Sequence, residues 1–304
     1  MANTQTPFQQ AAAFFPEKLR KGLLAIEEER QRNAEEIRLR AGKELSILDE
    51  EGKEDTLPGI GVVSQQELQG VIEIATTASF HRAMDKLCRG YFPLAGGHRL
   101  GVAGSAVMRE GHIHHFRALS SLALRIAHEV PGAALPVAQQ LTAKGLQGSS
   151  CLILAPPGYG KTTLLRDLIR IYSDHWKLRV GIADERGEIA APLDGVPQFE
   201  VGNTVDVMDG CGKGEAGLLL LRSMNPQVIA MDEITSPEDV AALTVIAHCG
   251  TAVLATAHGS DLAELLRRPL YRPLLRQQIF QTIIRIQRVN GRRSYAVEEA
   301  PCCT

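Results

Sequence analysis

Apolar residues follow two different patterns along the chain, and the change falls near residue 130. Beyond residue 150, four short and continuously apolar segments alternate with segments whose apolar residues recur at helical spacing. The predicted strands are 150–154, 180–183, 228–231 and 251–255, and the predicted helices are 161–172, 214–224, 237–248 and 262–267. Apolar strands separated by helices are typical of a parallel sheet covered on both faces, so this part predicts an α/β fold. Two last segments, 279–286 and 294–297, flank Asn290-Gly291 and predict a β-hairpin.

The first 130 residues predict a smaller α+β domain. We expect one helix over 9–31, a half-buried strand over 35–40 and helical structure over 65–89 with a break near Ser79. Short apolar runs around glycines over 91–116 predict a β-hairpin, and 121–127 predicts another strand. Pro131-Gly132 then marks a boundary. The expected organisation is an N-terminal domain over 1–130, a linker helix within 131–148 and an α/β domain over 149–304.

Composition narrows the class of protein. The 304 residues carry a formal net charge of -2, with 44% apolar and 22% charged residues, which argues against a general affinity for nucleic acid or anionic membrane. The six cysteines include no CxxC pair, so we expect reduced thiols, and we interpret Cys302-Cys303 as a frayed tail rather than a metal or lipid site. Neither a secretory leader nor an apolar segment of membrane-spanning length is expected.

A glycine-rich loop between a predicted strand and a predicted helix carries the main chemical signal. Gly158 and Gly160 let the backbone approach an anion, and the helix that follows favours negative charge at its N-terminus. Lys161 is expected to reach the β- and γ-phosphates of a nucleotide, and the Thr162 hydroxyl to bind Mg²⁺. The predicted nucleotide-binding residues are Ala155, Pro156, Pro157, Gly158, Tyr159, Gly160, Lys161, Thr162 and Thr163.

Asp232 and Glu233 follow the apolar strand over 228–231 and lie where ligands of parallel sheets bind. We expect Asp232 to hold the Mg²⁺ shell through water, with the Thr162 hydroxyl as a ligand, and Glu233 to orient and deprotonate the attacking water. An ordinary strand exit rich in acidic residues is the alternative, and the nearby phosphate loop makes it less favoured.

Two further segments with polar side chains follow predicted strands of the same sheet. Residues 184–188, Asp-Glu-Arg-Gly-Glu, could surround the γ-phosphate and metal with acidic groups, or they could form a solvated turn. The segment by itself favours neither interpretation. His258 follows the strand over 251–255 and is placed to sense the γ-phosphate. The remaining histidines considered, His98, His112, His114 and His115, lack such support, and a solvated hairpin tip explains the last three better than a metal site.

Taken in order, these segments resemble one family, the stage III sporulation protein AA proteins, which are related to the type II and type IV secretion ATPases. The resemblance extends from about residue 15 to 297. The segments that carry it are EIRLRAGKEL, RGYFPLAGGHRLGVAG, APPGYGKTTLLRD, VGIADERGEIA, VPQFEVGNTVDVMDGC, LRSMNPQVIAMDEI and TAHG. A phosphate loop alone is generic, whereas this ordered set is specific.

The resemblance implies a RecA-like P-loop NTPase core behind a smaller α+β domain. By this resemblance, 155–162 matches the Walker A loop, 228–233 the Walker B strand, 184–188 the Asp box and 256–259 the His box. It therefore supports catalytic roles for Glu185, Glu188, Glu233 and His258. One departure is that secretion ATPases often carry a four-cysteine metal insertion, which this chain lacks.

The resemblance also implies the surroundings of the protein. Relatives work as hexameric rings with ATP between subunits, so we expect a homo-oligomer and an arginine supplied by a neighbouring domain. The candidates are Arg38, Arg40, Arg99, Arg125 and Arg186. The expected location is the mother-cell cytoplasm of a sporulating bacterium, at the membrane through a polytopic membrane protein of a channel complex.

The leading hypothesis is an ATPase that uses ATP and Mg²⁺ to drive assembly of, or transport through, that complex. A nucleotide-gated scaffold with little turnover would use the same binding residues and stays open as an alternative. A nucleic-acid motor is a third possibility, and the acidic balance and the lack of a basic, aromatic-rich stripe count against it.

Overall fold

The computed structural model describes residues 5–76, 91–289 and 292–300. The chain divides into two units, Met1–His128 and Glu129–Thr304, each with its own hydrophobic core. The segment 131–148, expected as a linker helix, belongs to the second unit. The two units are described separately below.

Three short helices replace the single helix expected over 9–31, and that expectation is wrong. They are α1 (Pro7–Ala12), α2 (Glu17–Leu24) and α3 (Glu28–Asn33). Pro16 precedes α2 with extended backbone and donates no N–H group, so α1 cannot continue through it. The breaks let Phe8, Phe15 and Leu23 all reach the buried core although they come from different turns of the chain.

The first unit is built on an antiparallel six-stranded sheet with the strand order β3-β2-β1-β6-β5-β4. The strand predicted over 35–40 is confirmed as β1, whereas the separate strand expected over 121–127 is the end of the long strand β6. The helix α4 ends at Ala75, and the rest of the helical segment expected up to 89 lies outside the described residues. The strands are β1 (Ala34–Arg40), β2 (Ser46–Asp49), β3 (Glu54–Thr56), β4 (Tyr91–Pro93), β5 (Arg99–Arg109) and β6 (His112–Arg125), with helix α4 at Gln65–Ala75 and 3₁₀ turns at Pro58–Ile60 and Ala95–Gly97.

The core of this unit lies between the sheet and the helices. Ile37 and Leu124 of the sheet are fully buried, as are Leu19 of α2 and Leu68 of α4. Ser64 caps α4 in a capping box with Glu67, which fixes where the helix begins. The alternating burial along β1 follows from its pleat, because only every second side chain faces the helices.

The second unit contains the predicted α/β sheet, and the fold class is confirmed. Its strand order is β13-β12-β7-β11-β10-β8-β9, in which all neighbours are parallel except the hairpin pair β12–β13. The strands are β7 (Cys151–Ala155), β8 (Val180–Asp184), β9 (Val205–Asp209), β10 (Val228–Met231), β11 (Ala252–His258), β12 (Thr282–Val289) and β13 (Arg292–Glu299). The helices are α5 (Leu135–Ala143), α6 (Lys161–Asp174), α7 (Lys213–Ser223), α8 (Pro237–His248), α9 (Leu262–Arg267) and α10 (Arg272–Arg276).

Most predicted elements of this unit are present with ends shifted by a few residues. The helix α8 has the predicted bounds and the expected Ser236 cap, which forms a capping box with Asp239. The predicted Asn290-Gly291 turn lies outside the described residues, although β12 and β13 do form an antiparallel pair. The strand β9 was missed because its sequence, VDVMD, alternates with aspartates and lies at the sheet edge.

The register of the parallel strands brings their carboxyl ends to one edge of the sheet. His258 of β11 is opposite Ala155 of β7, and Met231 of β10 is opposite both Ala255 and Ala183. This edge therefore carries every chemical signal that the sequence placed after a strand in this unit. No helix among the described residues is both long and apolar enough to cross a membrane.

Candidate active site

The glycine-rich loop connects the end of β7 to the first turn of α6. Gly158 and Gly160 have φ angles of 75° and 85°, in the left-handed region that disfavours residues with a Cβ. Gly160 is also the residue that immediately precedes α6, so Lys161 and Thr162 lie in the first turn of the helix. Backbone N–H groups at a helix N-terminus are suited to bind a phosphate. Ala155 closes β7, and the carbonyl of Pro156 accepts a hydrogen bond of 3.2 Å from the Lys161 ammonium.

Lys161, His258 and Glu233 form a continuous hydrogen-bonded chain across the sheet edge. The Lys161 Nζ atom lies 2.8 Å from His258 Nδ1, and His258 Nε2 lies 2.9 Å from a Glu233 carboxylate oxygen. An ammonium can only donate, so Nδ1 must accept and the proton of a neutral imidazole is on Nε2, which donates to Glu233. Burial lowers the pKa of Lys161, and the carboxylates of Glu233 and Asp232 oppose this shift.

Asp232 accepts hydrogen bonds from three donors, one on α6, one on β11 and one in the backbone of the next residue. The Thr162 hydroxyl donates to one carboxylate oxygen at 2.8 Å, while the Thr256 hydroxyl and the Glu233 N–H donate to the other at 2.6 and 3.0 Å. Thr256 is completely buried within β11 and also accepts from the Glu233 N–H at 3.0 Å. These hydrogen bonds fix the Asp232 carboxylate and the backbone of the next residue. They therefore orient the Asp232 side chain and hold the Glu233 backbone in place.

The pair Thr162–Asp232 has the chemistry of a Mg²⁺ site. Both residues offer hard oxygen ligands, and their oxygens are already within 2.8 Å of each other. Among the described residues, no group of three His, Cys, Asp or Glu side chains could hold a metal by itself. A cation bound mainly by waters and substrate phosphates, with one or two protein oxygens, is the usual arrangement for Mg²⁺ beside a nucleotide, so the residues fit this ion.

The acidic segment after β8 folds around Asp184, which is 1% exposed. One carboxylate oxygen accepts from the N–H groups of Glu188 and Ile189 at 2.7 and 3.1 Å, and the other from Ala190 at 2.8 Å. Glu185 and Glu188 line a cavity of about 30 Å³ together with Asp232 and Glu233. The structure thus places Glu185 and Glu188 beside the two carboxylates that follow β10, with room for a water molecule between them.

Lys213 is a residue of this cavity that the sequence did not single out. Its side chain is buried, and its ammonium lies 3.1 Å from the Thr235 hydroxyl, 3.5 Å from Glu185 and 3.6 Å from Asp239. No sequence pattern marks Lys213 as a site residue, because a lysine at the start of a helix after Cys211-Gly212 can lie in many different surroundings. Its charge balances the carboxylates that converge on the cavity.

The remaining predicted loop residues are distributed around the turn. Pro157 is exposed and Tyr159 is half-buried, with its ring 5.2 Å from the Arg288 guanidinium carbon. Thr163 lines a different cavity of about 270 Å³ together with Arg166 and Arg170. The structure therefore brings together Lys161, Thr162, Asp232, Glu233 and His258 by direct hydrogen bonds.

The arginines considered for an interface have different surroundings. Within the first unit, Arg38 lies 2.9 Å from Glu36, Arg40 is paired with Glu54, and Arg99 lies 5.2 Å from the Tyr91 ring centre. Arg125 is at the end of β6 and is exposed. Arg186 belongs to the second unit and lines the cavity beside Asp232 and Glu233.

The other histidines that the sequence analysis considered belong to the first unit. His98 is completely buried in the first unit, and its Nδ1 accepts from the Ala127 N–H at 3.0 Å. His114 and His115 contact each other on the exposed part of β6, with 2.9 Å between their Nδ1 atoms. Their neighbours supply no metal site among the described residues.

Comparison with solved structures shows the class to which this fold belongs. The ATPase DotB of Legionella pneumophila matches 89% of this chain and 78% of its own with a TM-score of 0.59 and 20% identity. The pilus retraction motor PilT, solved with bound ADP, matches 89% and 80% with a TM-score of 0.60 and 19% identity. The parallel sheet, the loop at its edge and these likenesses define a RecA-like P-loop fold of the secretion-ATPase type.

Sequence comparison is more specific. The family described as "Sporulation stage III, protein AA" matches residues 7–294, and this chain belongs to it. The stage III sporulation protein AA of Bacillus subtilis (strain 168) is 34% identical over 284 residues, which are 92% of this chain and 91% of that protein. The predicted family is therefore confirmed.

Proposed function

We propose that this protein binds ATP and hydrolyses it with Mg²⁺, as a motor that serves a sporulation membrane complex. The observation that carries the proposal is the 2.8 Å hydrogen bond from Thr162, in the first turn of α6, to Asp232, which directly follows β10. It joins the residue pair that binds Mg²⁺ and phosphate in P-loop NTPases, although the two residues are 70 positions apart in sequence. Family membership and the fold of DotB and PilT support the same function.

The loop residues bind the triphosphate in this proposal. The N–H groups around Gly158 and Gly160 and the dipole of α6 attract the phosphate oxygens, and the Lys161 ammonium neutralises charge at the β- and γ-positions. Thr162 and Asp232 would hold Mg²⁺, which supplies further neutralisation of the phosphate charge. Phosphate oxygens compete with His258 Nδ1 for the Lys161 ammonium, so nucleotide binding changes the hydrogen bonding of His258.

Glu233 is the proposed general base. Its carboxylate accepts from His258 Nε2 at 2.9 Å and keeps further lone pairs for the attacking water. The water loses a proton to Glu233 as its oxygen attacks the γ-phosphorus, and ADP leaves. Glu185 and Glu188 face the same cavity and orient the water, while Lys213 limits the repulsion between these carboxylates. His258 connects the base with the phosphate-binding lysine and senses the γ-phosphate.

The biological setting rests on the family. We propose a homo-oligomeric ring of six subunits that lies at the membrane through a polytopic protein of the channel complex. The mother-cell cytoplasm is the proposed location. ATP-driven motion between the two units is the proposed source of force, and nucleic acid is not a proposed partner.

The test of the hydrolytic step is the variant Glu233→Gln. Gln keeps an oxygen that accepts from His258 but cannot take a proton, so we expect MgATP to bind nearly as in wild type while kcat falls about 10²- to 10⁴-fold. The matched control is Glu238→Gln, the same change at an exposed position in the first turn of α8. A Glu233→Gln enzyme that turns over at the wild-type rate contradicts the assignment of the base.

A nucleotide-gated scaffold is the second candidate, because Lys161, Thr162 and Asp232 would serve binding alone equally well. Oligomer size and phosphate release, followed in the same samples after MgATP addition, separate the two functions. A change of size without phosphate release favours the scaffold. Release that disappears in Glu233→Gln favours the motor.

A further inference from the structure

The C-terminal hairpin extends past the end of the strand on which the phosphate loop is built. Strand β12 pairs with β7 up to Arg285 opposite Leu154, and β7 ends one residue later at Ala155. Strand β12 itself continues to Val289. The last residues of β12 and the first of β13 therefore lie beside the loop that follows β7.

Arg293 of β13 lies directly against the loop. A Cβ atom built on Gly160 would be 3.2 Å from the guanidinium carbon of Arg293, 3.4 Å from Nη2 and 3.5 Å from Nε. Three atoms of the guanidinium group thus lie within 3.5 Å of the position that a Cβ at residue 160 would take. A side chain there would have to shift Arg293 by a few tenths of an ångström, which adds to the requirement for glycine set by the φ angle of 85°.

Arg288 supports the same region from β12. It is directly opposite Arg293 in the antiparallel register, and its guanidinium carbon lies 5.2 Å from the Tyr159 ring centre. Both arginines are exposed, and within the described residues neither forms an ion pair with a carboxylate. Like charges directly opposite each other in a sheet are destabilising, so this pair is unfavourable unless an anion lies next to it.

We propose that Arg293 binds the terminal phosphates of the nucleotide in the same chain, and that Arg288 positions the loop through the Tyr159 ring. The inference rests on the proposed nucleotide site and deepens it. A guanidinium offers two parallel N–H donors to a phosphate, a geometry that the neighbouring Lys161 ammonium does not provide. The cost of the opposed arginines is then offset when the phosphates bind, so the hairpin acts as a cationic clamp supplied by the chain itself rather than by a neighbour.

The experiment measures Kd for MgATP, ADP and AMP with purified full-length protein by calorimetry. For Arg293→Ala we expect MgATP and ADP to bind about tenfold more weakly and AMP to be nearly unchanged, because the contact is with the terminal phosphates. Arg293→Lys should recover part of the loss, since it keeps the charge but not the paired donors. Arg288→Ala and Tyr159→Ala should each cost roughly two- to fivefold, the range of an exposed cation–π contact.

The matched control is Arg285→Ala, which removes an arginine from the same strand that is paired with Glu298 across the hairpin. If the Arg293→Ala variant binds MgATP as tightly as the Arg285→Ala variant does, the inference is overturned and the proposed function still stands. An equal loss for ATP, ADP and AMP with a lower melting temperature also overturns it, since a damaged hairpin would act in that way. Wild-type protein that binds no MgATP contradicts the proposed function itself.

Discussion

Asp184 differs from the proposed catalytic carboxylates of the same acidic segment, because its own contacts are with the backbone. Asp184 is 1% exposed and accepts three backbone hydrogen bonds of 2.7 to 3.1 Å from the residues that follow β8. These bonds bend the chain so that Glu185 and Glu188 face the cavity beside Asp232. We therefore predict that Asp184→Asn destabilises the fold of the second unit, and that it reduces turnover mainly through that loss of order.

The magnitude follows from the donors. An asparagine that keeps its oxygen toward Glu188 and Ile189 must turn its NH₂ group toward the Ala190 N–H, which loses its acceptor in a buried place. A buried donor without a partner costs about 1–3 kcal/mol, and the two remaining bonds lose the strength given by a charged acceptor. The expected loss of unfolding free energy is about 3 kcal/mol, which lowers the melting temperature of a domain of this size by roughly 6–12 °C.

The assay is calorimetric unfolding of the full chain with Glu185→Gln as the control. The Glu185 side chain is 41% exposed and lies 3.5 Å from Lys213, so its neutralisation should cost about 1 kcal/mol or less. An Asp184→Asn variant that is as stable as wild type but has lost ATP turnover would refute the reasoning, because Asp184 would then take part in the reaction itself. A melting temperature no lower than that of Glu185→Gln would also refute it.

Two further predictions concern the first unit. Burial lowers the pKa of His98 to about 4 from 6.5, so the unfolded chain takes up this proton first as the pH falls. The loss of unfolding free energy between pH 6.5 and 4, measured by urea unfolding, should therefore be about 3 kcal/mol larger in wild type than in His98→Asn. A Cβ at Gly104 would lie 2.1 Å from the Ala118 carbonyl oxygen, so Gly104→Ala should lower the unfolding free energy by about 1–3 kcal/mol or more. Gly59 has open space around it, so Gly59→Ala should cost far less. Equal midpoints of urea unfolding for the two variants would contradict this prediction.

Local sequence patterns were sufficient where one physical signal dominated. Continuous apolar runs identified β7, β8, β10 and β11, because strands buried on both faces leave no room for polar side chains. The same rule failed for β9, whose aspartates are tolerated only because it is an edge strand. In the first unit, Pro16 gave the signal for a break that the helical spacing over 9–31 concealed.

The candidate site shows the same limit. The sequence named Lys161, Thr162, Asp232, Glu233 and His258 because each follows a predicted strand of one sheet. It did not single out Lys213, which lines the cavity beside Asp232 from the start of a helix, or Arg293, a hairpin residue that lies against Gly160. A lysine or arginine in such a position has no recognisable spacing, since its function depends on what packs against it.

The sequence by itself determined the phosphate loop, the alternation of strands and helices, and the family to which the chain belongs. These are local properties, fixed by glycine conformation, apolar periodicity and the order of short motifs. Only the tertiary structure decided that His258, 97 positions from Lys161, lies 2.8 Å from its ammonium, and that a hairpin arginine lies against Gly160. Strand order and register set these contacts, and both arise from packing across the whole sheet, which no single segment of the chain encodes.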